Sequence, residues 1–426
     1  MRNRNLKWYR LDNAAKIFPS IITGRMTAVF RISVTLKKEV DPPVLQQAVE
    51  NLMPRFPYFQ VTLKRGMFWH YLQQTPSAPL VREERFDPCQ KINRHAEKGL
   101  LFRVLYFGKK ISVEFCHVLT DGTGGVMYLQ SLVAEYLRLR GVAVPHDDGI
   151  FAQGKTPHPE ESEDSFLRYY KDGIPFPQVE PAAFHLAGSL IPQGSLNVCT
   201  GIVPSRDILK TARARGVTLT EYLAAVYLYS LQEYVFSLPP GQRRKLLMPI
   251  RVMVPVNLRK LYPSKTMRNF FLAVKPGIDP RLGRYTLDEI IKSVYHCMRV
   301  EVDEKFINQQ IARNVKGESH PLLRAVPLFI KGPVMKLIYN RWATSKHSGV
   351  LTNMGVVGMP SKAASHIERF EGLPNPNPLT RINIAVITYG KSTYVSFASF
   401  IDDSDVQKIF FRTLRRQGIV ARIETN

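Results

Sequence analysis

The sequence predicts an α/β (α+β) fold of two similar lobes with mixed sheets. Three observations carry this expectation. The chain has 426 residues, 45% hydrophobic and 22% charged, which is ordinary globular composition but generous for one core. A strand, helix, strands, helix order occurs early and again in the second half. Between the two lies a segment rich in Pro, Gly, Asp and Glu, including VPHDDGIFAQGKTPHPEESEDS. The expected division is an N-terminal lobe at 1–150, a linker or crossover at 151–195 and a C-terminal lobe at 196–426.

The elements follow in order. MTAVFRISVTLK (Met26 to Lys37) reads as a strand. DPPVLQQAVENLMPRF reads as a helix, with Pro42 and Pro43 in its first turn and a stripe of Val44, Ala48 and Leu52. QVTLKRGMFWHYLQ predicts a hairpin turning at Arg65-Gly66, and LLFRVLYFGKKISVEFCH a second one turning at Gly108 to Lys110. A helix from Val126 to Arg140 closes the first unit at Gly141. A short helix is expected in EDSFLRYYKDG. The second unit opens with the strand NVCTGIVP, then a helix N-capped by Ser205 and ended by Gly216. A strongly apolar helix, TLTEYLAAVYLYSLQEYVFS, and a buried strand in KLLMPIRVMVPVNLRKLYP come next. Later strands lie in NFFLAVKPG, GVLTNMGVV and INIAVITYGKSTYVSFASFI, and a helix runs from Asp403 to Arg416.

Bulk properties narrow the function. Cys89, Cys116, Cys199 and Cys297 are scattered, without a CxxC pair or a Cys/His cluster, so neither a disulfide framework nor a metal site is expected. The basic N-terminus has no apolar core of signal-peptide length, and no run of about 18 apolar residues occurs. AVPLFIKGPVMKLIY (Ala325 to Tyr339) is broken by Pro, Gly and Lys and reads as buried helix and turn. A cytoplasmic monomer is expected. The net charge of +24 points to an anionic partner or to a solvated basic surface. The short clusters at Arg243 to Lys245 and Arg415 to Gln417 carry no RNA signature, zinc finger or recognition helix, so a nucleic-acid partner is not expected, while peripheral contact with an anionic membrane stays open.

The chemistry-bearing stretch is VEFCHVLTDGTGGVMYLQ. Ile111, Val113, Phe115 and His117 alternate onto one strand face, while Cys116 points to the other, so a Cys–His nucleophile pair is not expected. His117 stands where the strand ends, a position that suits a packed core histidine or a shielded but reachable base. His-x-x-x-Asp alone is a weak signal. Gly122 after Asp121, a strand before and an amphipathic helix after make it narrower.

CHVLTDG resembles the His-His-x-x-x-Asp-Gly motif of the chloramphenicol acetyltransferase-like superfamily, with Cys116 in place of the first His and His117 at the catalytic one. MVPVNLRKLYPSKTMRNFF resembles the Pro-Val-Asn-x-Arg … Gly-Asn-Phe region of its second lobe. Asn257, Arg259 and Asn269 hold matching positions there, with Arg268 where Gly is common. LTNMGVV and the opening WYRLDNAAKIFP resemble the bacterial alcohol acetyltransferase branch, whereas the Asp-Phe-Gly-Trp-Gly hallmark of plant BAHD enzymes is absent. The resemblance spans nearly the whole chain and implies two pseudo-symmetric lobes with a tunnel between them.

It also implies transfer of an acyl group, acetyl or another short one, from acyl-CoA as co-substrate to a small-molecule alcohol or amine. No permanently bound cofactor is implied. His117 would be the general base, without a covalent acyl-enzyme. Asp121 can be read as the third member of a triad. The resemblance implies instead a structural ion pair with Arg259. Oxyanion or substrate donors are sought in the Gly122 N–H, Thr352 and Asn353, and contacts to CoA phosphates in Lys265 and Arg268. No P-loop or Rossmann loop is present. Two rivals stand beside this reading: a condensation-like enzyme taking acyl groups from a carrier protein, and a non-catalytic basic binding protein on the same fold.

Overall fold

The computed structural model describes residues 6–93, 95–145, 150–151, 154–175, 180–319, 325–339 and 344–426. Parts of the expected linker, residues 152–153 and 176–179, lie outside this set. Among the described residues the strands form three sheets. The first large sheet runs in the order Ile367–Leu373, Val29–Leu36, Lys110–Cys116, Phe102–Phe107, Val81–Glu83, with only the last pair parallel. The second runs Phe271–Val274, Ile250–Asn257, Gly349–Val356, Ile382–Tyr389, Ser392–Ser399, Asn197–Pro204, Arg422–Thr425. Gly349–Val356 is parallel to both its neighbours, so this sheet is mixed. A small sheet joins Trp8–Arg10 to the hairpin of Val61–Arg65 and His70–Gln74.

Helices cover each large sheet. Pro42–Leu52 starts at Asp41, whose carboxylate accepts from the Val44 amide, and it buries Leu45, Ala48, Val49 and Leu52. Leu219–Ser237 is apolar on nearly all sides because Leu287–Glu301 and Asp405–Arg416 pack against it and the sheet lies beneath. Its start is a capping box of Thr218 and Glu221. Two main apolar cores result, one per large sheet. No helix among the described residues is long and apolar enough to cross a membrane.

Several elements differ from the sequence expectation. The helix expected from Val126 begins at Gly122, because the Asp121 carboxylate accepts the Thr123 and Gly124 amides and caps it there. Ser205 lies inside its helix, and its hydroxyl bonds Thr393 instead of capping. The EDSFLRYYKDG helix is a single turn, Ser165–Arg168. Ala325 to Tyr339 is not a buried segment: helix Leu328–Ile338 leaves Phe329, Ile330, Val334 and Leu337 exposed. The strand Ile367–Leu373, unforeseen in the sequence, leaves the second half of the chain to pair with Val29–Leu36.

The start of helix Gly122–Leu139 also packs closely against the second half of the chain. A Cβ on Gly124 would collide with the Thr120 hydroxyl and with the carbonyl of Met267, which belongs to the second half. Gly124→Ala is therefore expected to destabilise the protein by about 1–3 kcal/mol in urea unfolding. Gly241→Ala, where an added Cβ meets nothing and the backbone is helical, should not destabilise the protein.

Candidate functional site

His117 follows the strand Lys110–Cys116, with its own amide anchored to the Ala28 carbonyl at 2.8 Å. Its ring sits among three aromatics. Phe18 stacks on it at 5.2 Å and 13°, Phe30 lies at 4.5 Å, and Phe271, from the second large sheet, at 6.4 Å. The side chain is half-exposed, but that exposure faces a cavity of about 1280 Å³ between the two large sheets. Burial pushes its pKa down to about 4, against the Asp121 charge, the Asn269 side chain and the Thr120 backbone, which favour the protonated ring. The imidazole is accordingly neutral at pH 7. Its Nδ1 is buried away from solvent.

The turn after His117 is clasped by residues 257–270. Arg259 Nη1 donates to Asp121 Oδ2 at 2.8 Å, and the same oxygen accepts the Phe270 amide at 3.0 Å. The other oxygen, Oδ1, caps the helix through Thr123 and Gly124. Asp121 therefore spends both oxygens away from the imidazole, an arrangement that holds the turn and does not orient the ring as a triad would. Arg259 in turn donates to the carbonyls of Thr266 and Arg268 and to Asn257 Oδ1. Thr120 Oγ1 donates to the Met267 carbonyl at 2.5 Å, and Asn257 Nδ2 to Thr123 Oγ1 at 3.2 Å. Asn269 Nδ2 bridges the His117 carbonyl at 2.9 Å and Asp12 Oδ2 at 3.2 Å.

No family profile matches the chain, and no curated protein matches it by sequence. Solved structures do match. TRI101 of F. graminearum, complexed with ethyl coenzyme A, is 12% identical, with 98% of this chain and 99% of that one covered and a TM-score of 0.62. The first condensation domain of the calcium-dependent antibiotic synthetase, in complex with a substrate analogue, is 14% identical over 96% and 95%, also with a TM-score of 0.62. The chain has the two-lobed chloramphenicol acetyltransferase-like fold. Polyketide synthase associated protein 5 from Mycobacterium tuberculosis is similar too, at 15% identity over 95% and 96% and a TM-score of 0.58.

In this chloramphenicol acetyltransferase-like frame the remaining sequence candidates separate. Gly122, Thr352 and Asn353 line the cavity with His117. The Gly122 N–H takes no part in the bonds to Asp121. Asn353 donates to Thr220 Oγ1 at 2.9 Å and accepts the Gly355 amide, so its side chain is tied to its own surroundings. Lys265 is exposed and outside the lining. Arg268, sought at a CoA phosphate, is instead 4% exposed. It donates to the carbonyls of Ser162 and Arg10, lies 3.5 Å from Asp12 and stacks over Tyr58. Its charge is committed inside the protein. Burial pushes Asp12 up to about 6, although Arg268 opposes the shift.

Sequence reasoning missed the aromatic walls Phe18, Phe30 and Phe271, and it gave Asn269 a motif position without a role. It also missed the cations along the cavity. Lys16, Lys275, Arg313 and Lys346 line it against Glu180 and Glu301, and Lys275 pairs with Glu180 at 2.6 Å. With Asp121 neutralised by Arg259, the lining carries more positive than negative charge. Among the described residues no group of three or more His, Cys, Asp or Glu could hold a metal ion.

The ion pair at the turn is buried, with 10% of the Arg259 and 7% of the Asp121 side chain exposed. Asp121→Ala, which strands the guanidinium, is expected to lose about 3–5 kcal/mol in denaturant unfolding. The double variant Asp121→Ala with Arg259→Met should lose less than the sum of the single changes.

Proposed function

We propose that the protein is an acyltransferase that moves an acyl group, acetyl or another short one, from acyl-CoA to an alcohol or amine. The observation that carries this reading is a neutral, aromatic-walled imidazole open to a large cavity between two lobes. The fold is shared with a protein solved with ethyl coenzyme A, which supports a CoA donor. The cationic lining suits the CoA phosphates in place of Arg268.

Nε2 of His117 takes the proton of the acceptor hydroxyl or amine as its oxygen or nitrogen attacks the thioester carbonyl. The negative charge that develops on the carbonyl oxygen needs donors already in place, and the Gly122 N–H and Thr352 hydroxyl lie along the same cavity. Collapse of the tetrahedral species breaks the C–S bond, and the imidazolium returns its proton to the thiolate. One base thus serves both halves of the reaction, and no acyl-enzyme forms. Asp121 and Arg259 hold the turn, and the Asp121 charge also favours the imidazolium.

A second reading takes the acyl group from a carrier protein, supported by the condensation domains that share the fold. The two differ in donor. Purified protein given acetyl-CoA and a panel of alcohols and amines should release free thiol, and His117→Ala should abolish release without lowering the melting temperature. Thiol release that persists in His117→Ala would place the base elsewhere. Release seen only with acyl groups loaded on a carrier would favour the second reading.

The low pKa sets a pH signature. His117 works deprotonated, so kcat/KM should fall as pH drops through about 4 and stay level around neutral pH. A solvated histidine would instead lose activity near its usual value of about 6.5.

A further inference from the structure

Helix Leu328–Ile338 presents its apolar side outward. Phe329, Ile330, Val334 and Leu337 are 67%, 49%, 49% and 65% exposed. At the helical advance per residue, these four and Pro333 share one arc of roughly 140°. Lys336 and Lys331 border the arc, while the opposite side buries Leu328 and turns Met335 to the cavity. The tip of the hairpin at 66–69 extends the apolar surface. The Leu328 amide donates to the Met67 carbonyl at 2.9 Å, and Lys331 Nζ to the Phe68 carbonyl at 3.1 Å. Met67 and Trp69 beside them are 70% and 58% exposed. Single exposed apolar side chains are common on soluble proteins, but six large ones on two joined elements form a patch.

The two sequence segments that carry this patch have charge of one sign. Residues 51–82 and 319–367 contain no Asp or Glu, yet they hold Lys64, Arg65, Lys331 and Lys336. The whole chain carries +24. We propose that helix Leu328–Ile338 and the 66–69 hairpin tip form one surface that docks on anionic lipid bilayers. The apolar ridge enters the boundary between headgroups and acyl chains, and the flanking lysines meet the anionic headgroups. A second copy of this chain is disfavoured as the occupant because it brings the same excess of positive charge. Met335 and Tyr339, on and just after the helix, line the cavity, so docking sets the cavity beside the bilayer. The inference goes beyond the acyl-transfer reading and does not depend on it, because binding is read without turnover.

The test uses the full chain and vesicles of phosphatidylcholine, alone or with about one third phosphatidylglycerol. Sedimentation should show binding to the anionic vesicles, and brominated acyl chains should quench tryptophan emission through Trp69, an effect reduced in Trp69→Phe. Phe329→Glu with Leu337→Glu should weaken binding about tenfold or more at an unchanged melting temperature. The milder pair of Phe329→Ser and Leu337→Ser gives the same readout if the glutamates disturb the fold. Three results would overturn the proposal: no binding to anionic vesicles; binding that the ridge variants leave intact and that about 0.5 M salt removes, which is charge adsorption alone; or a concentration-dependent dimer that Leu337→Glu dissolves.

Discussion

The site depends on how the second half of the chain grips the turn that carries His117. One carboxylate is the centre of that grip. Asp121 starts a helix with one oxygen and receives a guanidinium and a backbone amide from residues 259–270 with the other. Four donors on two oxygens leave it no capacity to orient the imidazole. Arg259 carries the same connection outward by donating to two carbonyls of its own loop. The imidazole is thus placed by its backbone, which Ala28 and Asn269 hold from opposite sides. Its ring plane is set by packing against Phe18 and Phe30.

That placement trades basicity for availability. Burial among aromatic rings disfavours the imidazolium, so the ring is fully deprotonated at neutral pH but is a weaker base than a solvated histidine. In the acyl transfer proposed above, a transition state in which the proton moves as the carbonyl is attacked would offset part of this loss. The acceptor's acidity rises as its bond to carbon forms, and the developing imidazolium lies near the Asp121 charge, which favours it. The surrounding cavity is large and carries a cationic excess, a combination that suits a long, anionic donor better than a small neutral one.

The parts of the molecule legible in the sequence are those whose cause is local. The hairpin of Phe102–Phe107 and Lys110–Cys116 follows from alternation and a glycine turn, and the apolar helix Leu219–Ser237 from its composition. The position of His117 at a strand end follows from the same alternation. The pairing of Asp121 with Arg259 spans 138 residues and rested on resemblance, because no local pattern encodes it. Arg268 escapes the sequence for a related reason: a cation in a polar loop looks solvated until Asp12 and Tyr58, far off in sequence, are brought around it. Helix Leu328–Ile338 shows a further limit. Periodicity identifies an apolar face but not what covers it.

The strand Ile367–Leu373 ties the halves together in a way that composition boundaries do not suggest. It completes one side of the first large sheet by lying along Val29–Leu36, although most of its chain neighbours build the second sheet. A fragment ending near residue 150 would leave Val29–Leu36 as a bare sheet margin, its amides and carbonyls open to any extended peptide. The nascent chain faces the same situation during synthesis, since that margin waits for residues made more than 300 positions later. Separate expression of the first half should consequently yield aggregates, whereas supplying the two halves together lets the missing strand seal its own gap.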